Sequence, residues 1–503
     1  MYLKRFFLIW RRLMLKENKR IFLLIGFFTL IRLAVSPFFG LGVDEAHYVL
    51  YANFLDWSYV DHPPLVGWVH APFFYLLGTN EFLARLPAIL LFAATSYCAY
   101  LFVLRVTKSE QLSLLATLAL NCSFILNVMG LMLLPDSLLL LFVFLLIFIA
   151  EKIARENKSR DYILLGILLG LMGLTKYTSI LLVPPLILFF LMKKRYDIIF
   201  SPYMFLAALI AFIMITPVIY WNINHDFISF RYQGSHIFGS LTSSFKNFIE
   251  SLAAQFGAYS PFLFIIAFYG FFKVLRSSND YLRLSVLFGG TVIVFFLITS
   301  LSERTLPHWP GIFYALFIPI GSYNLYLAKE NWKRNFLYFS IGLSLTLMII
   351  AYCAVPFPET CTKIVGIFYK IPDYKSPFRD IYGYAVIAEQ ADKIIKNDTS
   401  AMPKAIAVTN WTMGSRVIYY GLPYRQEVFV VDNRVDQFDL WEKKLPIGYD
   451  LLFLNSHFED LDIAAYAHCK YVDAAGEKDL ILNGSKVDSF KFVWCRNYQG
   501  IKR

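Results

Sequence analysis

From residue 21 to residue 356 the chain alternates long apolar runs with short connections, and the charge of those connections alternates too. The runs lie at about 21–39, 82–104, 111–128, 131–150, 161–175, 177–192, 201–221, 257–275, 284–300, 309–328 and 335–356. A membrane helix needs about 20 mostly apolar residues, so we read about eleven spans. Every second connection is basic: Lys4 to Arg20, Arg105 with Lys108, Lys152 to Arg160, Lys193 to Arg195, Lys273 to Arg283, and Lys329 to Arg334. The others hold few cations: none between residues 40 and 80, then Lys176, Arg231, Lys246 and Arg304. Connections rich in Lys and Arg stay in the cytoplasm. The pattern therefore puts the N-terminus in the cytoplasm and the second set of connections outside.

Composition agrees. The 503 residues are 58% hydrophobic and 17% charged, with a mean hydropathy of +0.54. An ordinary soluble domain is about 45–50% apolar and about 25% charged. The formal charge of +11 does not point to nucleic acid, because its cations cluster between apolar runs where they set membrane orientation. The basic N-terminal stretch leads into the 21–39 run without a small-residue cleavage site, which reads as a retained first helix and not a removed leader. Cys98 and Cys122 lie within apolar runs, Cys353 and Cys361 flank the end of the last one, and Cys469 and Cys495 fall in the C-terminal segment. A Cys469–Cys495 bridge is compatible with an outside location, but spacing alone leaves the pairing open.

After Pro356 hydrophobicity falls and the pattern changes. AIAVTNW (405–411), EVFVVD (427–432), DLLFLN (450–455) and FKFVWC (490–495) read as strands, and 381–396, 413–420 and 460–468 as helices. The expected organisation is thus a polytopic α-helical membrane domain over 1–356 and an extracytoplasmic α/β domain over 357–503. Two outward loops are long, 40–80 and 222–256. Within the first, YVLYANFLDW is amphipathic enough for a short helix along the interface. The second holds Asn222, Asn224, His225, Asp226, Arg231, Tyr232, Gln233 and His236, and a long loop in a compact protein points to function.

Ionisable groups at membrane depth are costly and usually face a cavity. The first loop carries Asp44, Glu45, Asp56 and Asp61, with Glu81 just beyond, and the histidines His47 and His62. Asp136 stands beside Pro135 at a helix start. Lys176-Tyr177 sits at a break between two apolar runs, and Glu303-Arg304 with His308 closes the set. Each residue has a plain reading beside the functional one. Lys176 suits a snorkelling interfacial anchor, Asp136 a helix cap, His308 an aromatic-belt residue, and Arg304 a surface pair with Glu303. Together, acidic groups in one outward loop and scarce cations in later ones suit an enzyme with an anionic lipid donor. Cations hold the phosphate and offset the charge it gains on leaving. A carboxylate takes the proton of the attacking hydroxyl. Asp44, Glu45, His47, Asp61 and His62 are also acceptable ligands for a divalent metal, although no HxxxH or HExxH spacing occurs.

DEAHY, then DHPPL seventeen residues after Asp44, then LPDS, TKYT and HWP together resemble the GT-C class of membrane glycosyltransferases. Within that class the pattern is similar to glycosyltransferase family 39 and its bacterial relatives, the protein O-mannosyltransferase and lipid A aminoarabinose transferase group. RVIYYGLP and RVDQFDLWEK look like the C-terminal region of bacterial members. The resemblance implies a GT-C membrane fold, a polyprenyl-phosphate sugar donor and inverting transfer of a hexosyl or pentosyl group to lipid A, lipopolysaccharide core, another glycan or a protein. It implies an inner-membrane location, with Asp44 as general base and Glu45 supporting it. Lys176, Tyr177, Arg304 and His308 are the candidates for the lipid phosphate, and Asp61, His62, Asp136 and Arg231 are further active-site candidates. Some relatives carry Lys where Asp61-His62 precedes Pro-Pro, which leaves the role of His62 open. A glycolipid transporter or flippase is the competing reading. Such proteins often show inverted repeats and helices broken at mid-membrane, and neither is visible here. A non-catalytic scaffold would leave the acidic loop unexplained.

Overall fold

The protein, seen as a computed structural model, is described for residues 19–238, 244–357, 381–431, 435–441, 445, 447–456, 462–482 and 485–501. The N-terminal basic block before Lys19, Cys361 and the His236 side chain lie outside the described residues, as does part of RVDQFDLWEK. The chain divides into two compact units. One takes in Met1–Ala34, Trp57–Val66 and Arg85–Ile349, and the other takes in Val35–Asp56, Gly67–Ala84 and Ile350–Arg503. The compact units therefore do not follow the 356/357 boundary drawn from sequence: most of the first outward loop belongs with the C-terminal unit.

Every apolar run forms helix. Among the described residues six helices are long and apolar enough to cross a membrane: Lys19–Phe38, Glu81–Thr107, Pro135–Glu156, Pro202–Asn224, Asp280–Thr299 and Asn331–Ala354. Phe245–Ala258 and Pro261–Val274 meet at 104° and add a seventh if counted as one broken span. The remaining runs make shorter helices. The 111–128 run breaks at Cys122-Ser123 into Glu110–Asn121 and Phe124–Met129, and the 177–192 run begins as a 3-10 turn, Tyr177–Leu182. Proline opens several helices (Pro135, Pro202 and Pro261), where its missing N–H costs nothing. The second long loop of the sequence reading is mostly helical, Ile228–Phe238 followed by Phe245–Ala258.

Small residues bring the membrane helices together. On Ser159–Gly173, a Cβ at Gly166 would meet Ala207 O at 2.6 Å and one at Gly170 would meet Met214 Sδ at 2.6 Å. That stripe lets Pro202–Asn224 approach at backbone distance. Cys98 and Cys122 are buried, as their apolar setting suggested.

The C-terminal unit contains a five-stranded sheet. Its strands are β1 (Lys404–Val408), β2 (Val428–Val430), β3 (Asp450–Ser456), β4 (Ala467–Leu482) and β5 (Ser485–Ile501), in the order β2-β1-β3-β5-β4. β1 pairs parallel with β2 and β3, and β5 pairs antiparallel with β3 and β4. Alternation puts Ile406, Leu452, Phe490 and Phe492 on the face covered by helices Tyr384–Asn397 and Trp411–Gly421. Ala405, Phe429, Leu451 and Phe453 line the other face. Of the stretch 460–468, expected as helix, residues 460 and 461 lie outside the described residues, and the rest holds a single turn (Ile463–Tyr466) leading into β4. Cys469 and Cys495 are joined, linking β4 to β5.

Candidate active site

In the membrane unit the helix Pro135–Glu156 starts at Leu134, whose N–H is held by Ser137 Oγ at 3.2 Å. Ser137 Oγ also donates to Met129 O at 2.7 Å, so the turn before the helix is fixed. This sets Asp136 in the first helical turn, where the helix dipole favours a carboxylate. Lys176 projects from the break after Ser159–Gly173, with extended backbone (φ −155°, ψ 137°). Its Nζ donates to Asp136 Oδ1 and Oδ2, each at 2.8 Å. Both side chains are about nine-tenths buried. His308 Nε2 lies 3.8 Å from Asp136 Oδ2, and Lys176 Nζ stands 5.8 Å from the Trp309 ring centre. LPDS, TKYT and HWP, distant in sequence, thus meet at one carboxylate.

Lys176 also lines a cavity of about 630 Å³. Its walls are apolar, among them Leu169, Met172, Phe212, Ile215, Val218 and Phe295, and Lys176 is the charged member of the lining. Tyr177 and Gln233 supply further polar lining. Tyr177 Oη lies 3.2 Å from Ser58 Oγ. Gln233 Nε2 donates to Asp61 O at 2.7 Å, Ser229 Oγ to Tyr59 O at 2.8 Å, and Leu65 N to Leu174 O at 2.9 Å. The Asp-His-Pro-Pro turn is therefore pinned by the helix Ile228–Phe238 and the break before Lys176. Asp61 and His62 are half-buried there.

Among the described residues Arg304 pairs elsewhere. Its side chain is 63% exposed, 4.0 Å from Glu250. Arg231 is exposed on Ile228–Phe238.

In the second unit the helix Val43–Asn53 carries Asp44 and Glu45 in its first turn. Glu45 is buried, and its Oε2 accepts from Gly42 N at 3.1 Å, so it caps its own helix. Asp44 is partly exposed. Tyr48 to Ala52 are all buried, so this stretch is packed in protein and not laid along an interface. His47, an acceptable metal ligand by residue type, is a core histidine instead. Its ring meets Tyr48, Tyr51, Trp411, Phe438 and Trp441, and its Nδ1 lies 3.3 Å from Ser415 Oγ. Among the described residues no three His, Cys, Asp or Glu side chains gather closely enough to hold a metal ion.

Sequence reading passed over several groups that the structure brings in. Trp309 flanks Lys176 and Ser58 pairs with Tyr177, both beside residues already singled out. Gln255 Oε1, buried, accepts from Tyr314 Oη at 2.9 Å. Polar residues inside an apolar run were the available signal for Tyr314.

The family described as dolichyl-phosphate-mannose-protein mannosyltransferase matches residues 61–221. A curated relative, the lipid A galacturonosyltransferase RgtD of Rhizobium johnstonii, is 23% identical over 326 residues. That match covers 63% of this chain and 65% of the relative, so the chain spans less than two thirds of its length. Two crystal structures of ArnT from Cupriavidus metallidurans share the fold. The apo form has a TM-score of 0.61 at 14% identity, covering 92% of this chain and 96% of that one. The form bound to undecaprenyl phosphate has a TM-score of 0.63 at 15% identity, covering 94% and 97%. The resemblance to GT-C class membrane glycosyltransferases is borne out, and the fold is that of a polytopic helical membrane protein.

Proposed function

We propose that this chain, similar in sequence and fold to GT-C class membrane glycosyltransferases, moves a hexosyl or pentosyl group from a polyprenyl-phosphate donor to an extracytoplasmic acceptor. The acceptor class is lipid A, lipopolysaccharide core, another glycan or a protein. The observation that carries the reading is Lys176: a buried cation lining an apolar cavity of about 630 Å³. An apolar cavity suits a lipid tail, and the cation suits its phosphate. A lipid A transferase among the relatives, and a fold shared with a protein crystallised with undecaprenyl phosphate, support the donor and acceptor classes.

In this reading Lys176, with Tyr177 and His308, holds the donor phosphate. Asp136 keeps Lys176 aimed and offsets its charge until the phosphate arrives. Arg304 and Arg231, being exposed, suit steering of the anionic headgroup. The acceptor hydroxyl attacks the anomeric carbon while Asp44 takes its proton. The bond from that carbon to the phosphate oxygen breaks, and polyprenyl phosphate leaves with its new charge opposite Lys176. A single displacement of this kind inverts the anomeric centre. Glu45 acts by capping the helix that carries Asp44. Asp61 and His62 line the approach.

The proposed topology has about eleven spans in the inner membrane, a cytoplasmic N-terminus and an extracytoplasmic C-terminal domain. Charge alternation supports it, as does the Cys469–Cys495 bridge, since disulfides persist in oxidising compartments.

The test is transfer from undecaprenyl-phosphate sugars by the full chain in proteoliposomes. Asp44→Asn should abolish product while the protein folds and inserts normally, with a loss of about 10³-fold or more. Near-normal transfer by Asp44→Asn, or lipid movement with no glycosidic bond formed by the wild type, would sink the reading. Comparing the lipids and glycans of a deletion strain with wild type would name the accumulated donor and the missing product.

A further inference from the structure

Consecutive backbone amides lead into the helix that carries Asp44, and each is held by a different part of the C-terminal unit or of the helix itself. Gly40 N donates to Ile381 O at 2.7 Å, Leu41 N to Tyr420 Oη at 2.8 Å, and Gly42 N to Glu45 Oε2 at 3.1 Å. The middle anchor does double duty. Tyr420 Oη, while accepting from Leu41, donates to Glu81 Oε1 at 2.9 Å. One phenol thus joins the end of helix Trp411–Gly421, the backbone at Leu41, three residues before Asp44, and the first turn of helix Glu81–Thr107. Leu41 is fully buried, and a Cβ on Gly40 would stand 2.8 Å from Ile381 O and 3.0 Å from Tyr420 Oη, so the approach is close from both sides. Burial, and next the Glu81 carboxylate, push the Tyr420 hydroxyl up, which keeps it protonated and donating.

We infer that Tyr420 is a positioning residue for Asp44: its hydroxyl, braced by Glu81, sets where the first turn of helix Val43–Asn53 stands. The inference rests on the reading of Asp44 as the base. Tyr420 and Glu81 are assigned no contact with the reacting atoms. They act through the backbone, and a displacement of about 1 Å in a catalytic group is enough to cost about 10²-fold in rate.

The test uses the full chain in proteoliposomes with a polyprenyl-phosphate sugar donor. Tyr420→Phe keeps the ring and removes the hydroxyl. It should lower kcat by about 10–100-fold per folded molecule, with the donor KM within about twofold of wild type. Glu81→Leu removes the brace and should reproduce that split. Glu81→Gln keeps an accepting oxygen and should turn over at close to the wild-type rate. Asp44→Asn is measured alongside. If Asp44→Asn is inactive while Tyr420→Phe and Glu81→Leu turn over like wild type, the inference falls and the reading of the base stands. If Asp44→Asn stays active, the reading of the base falls first. A Tyr420→Phe loss that sits in KM, or disappears when counted per folded molecule, also overturns the inference.

Discussion

Lys176 and Arg496 are both buried cations held by carboxylates, one in the membrane unit and one in the C-terminal unit, and they differ in how many carboxylates hold them and in what lies beside them. All three guanidinium nitrogens of Arg496 are engaged by carboxylates. Nη1 and Nη2 bond Asp398 at 3.0 and 2.7 Å, Nη1 bonds Asp450 at 2.9 Å, and Nε bonds Asp473 at 3.3 Å. Its carboxylate partners are satisfied in turn. Ser400 Oγ and Asn497 N bond Asp450, and Lys404 Nζ lies 3.1 Å from Asp398 Oδ2. Among the described residues the hydrogen-bond partner of Lys176 is Asp136 alone, and beside it lies the cavity. A planar fork shared among three carboxylates is a staple between strands, whereas a point charge on one carboxylate beside a cavity is a binding group. Burial and pairing alone do not separate the two. The number of carboxylates held, and the cavity beside Lys176, do.

The largest expected difference follows from removing each cation. Lys176→Met should cut transfer by about 10²–10³-fold, as loss of a preorganised charge at a transition state does. It should also destabilise the membrane unit by about 3–5 kcal/mol, because Asp136 is left buried and uncompensated. Pairing it with Asp136→Asn should restore much of the stability and none of the activity. Recovery of transfer in the double variant would make Lys176 structural and erase the contrast.

Arg496→Met should cost a similar about 3–5 kcal/mol, read as a drop in the thermal midpoint of the full chain. The molecules that remain folded should transfer within about threefold of wild type. A larger loss per folded molecule would mean that the staple also governs the site.

The smallest effect is set by pH. Hydrogen bonds from Arg496, with Lys404 adding to them against burial, hold Asp398 at about 2, below its ordinary 3.8. Its contribution is therefore complete above about pH 4 and fades as pH falls through about 2, amounting to about 1–2 kcal/mol. Thermal melts of the full chain between pH 5 and pH 2 should show this loss in the wild type and a weaker one in Asp398→Asn. Parallel acid curves for the two proteins would contradict it.

The sequence revealed the membrane part of the fold well, since a bilayer demands apolar runs of fixed length and each such run formed helix. Three of the four expected strands are central or parallel-paired and buried (β1, β2, β3), where β-rich apolar runs are strong signals. β4 was missed because it is an edge strand, largely exposed, whose sequence AHCKYVDAAGEKDLIL shows little apolar alternation. The site was legible as a set of outward ionisable residues but not as pairs. Asp136 and Lys176 are 40 residues apart, and only the packing of two helices brings them within 2.8 Å. Scarcity of outward cations drew Arg231 and Arg304 into the same list, yet scarcity carries no distance, and both are exposed. Glu45 looked equivalent to Asp44 by type. Its place three residues after Gly42 makes it a helix cap, a role that spacing could have suggested.

The cavity reading stands or falls on undecaprenyl phosphate binding by the purified full chain, measured by native mass spectrometry for wild type, Lys176→Met and Asp44→Asn. Wild type and Asp44→Asn should bind alike, and Lys176→Met should bind about tenfold or more weakly, the loss of one charge-assisted contact to phosphate. Equal binding by wild type and a folded Lys176→Met would contradict the assignment of Lys176 to the lipid phosphate.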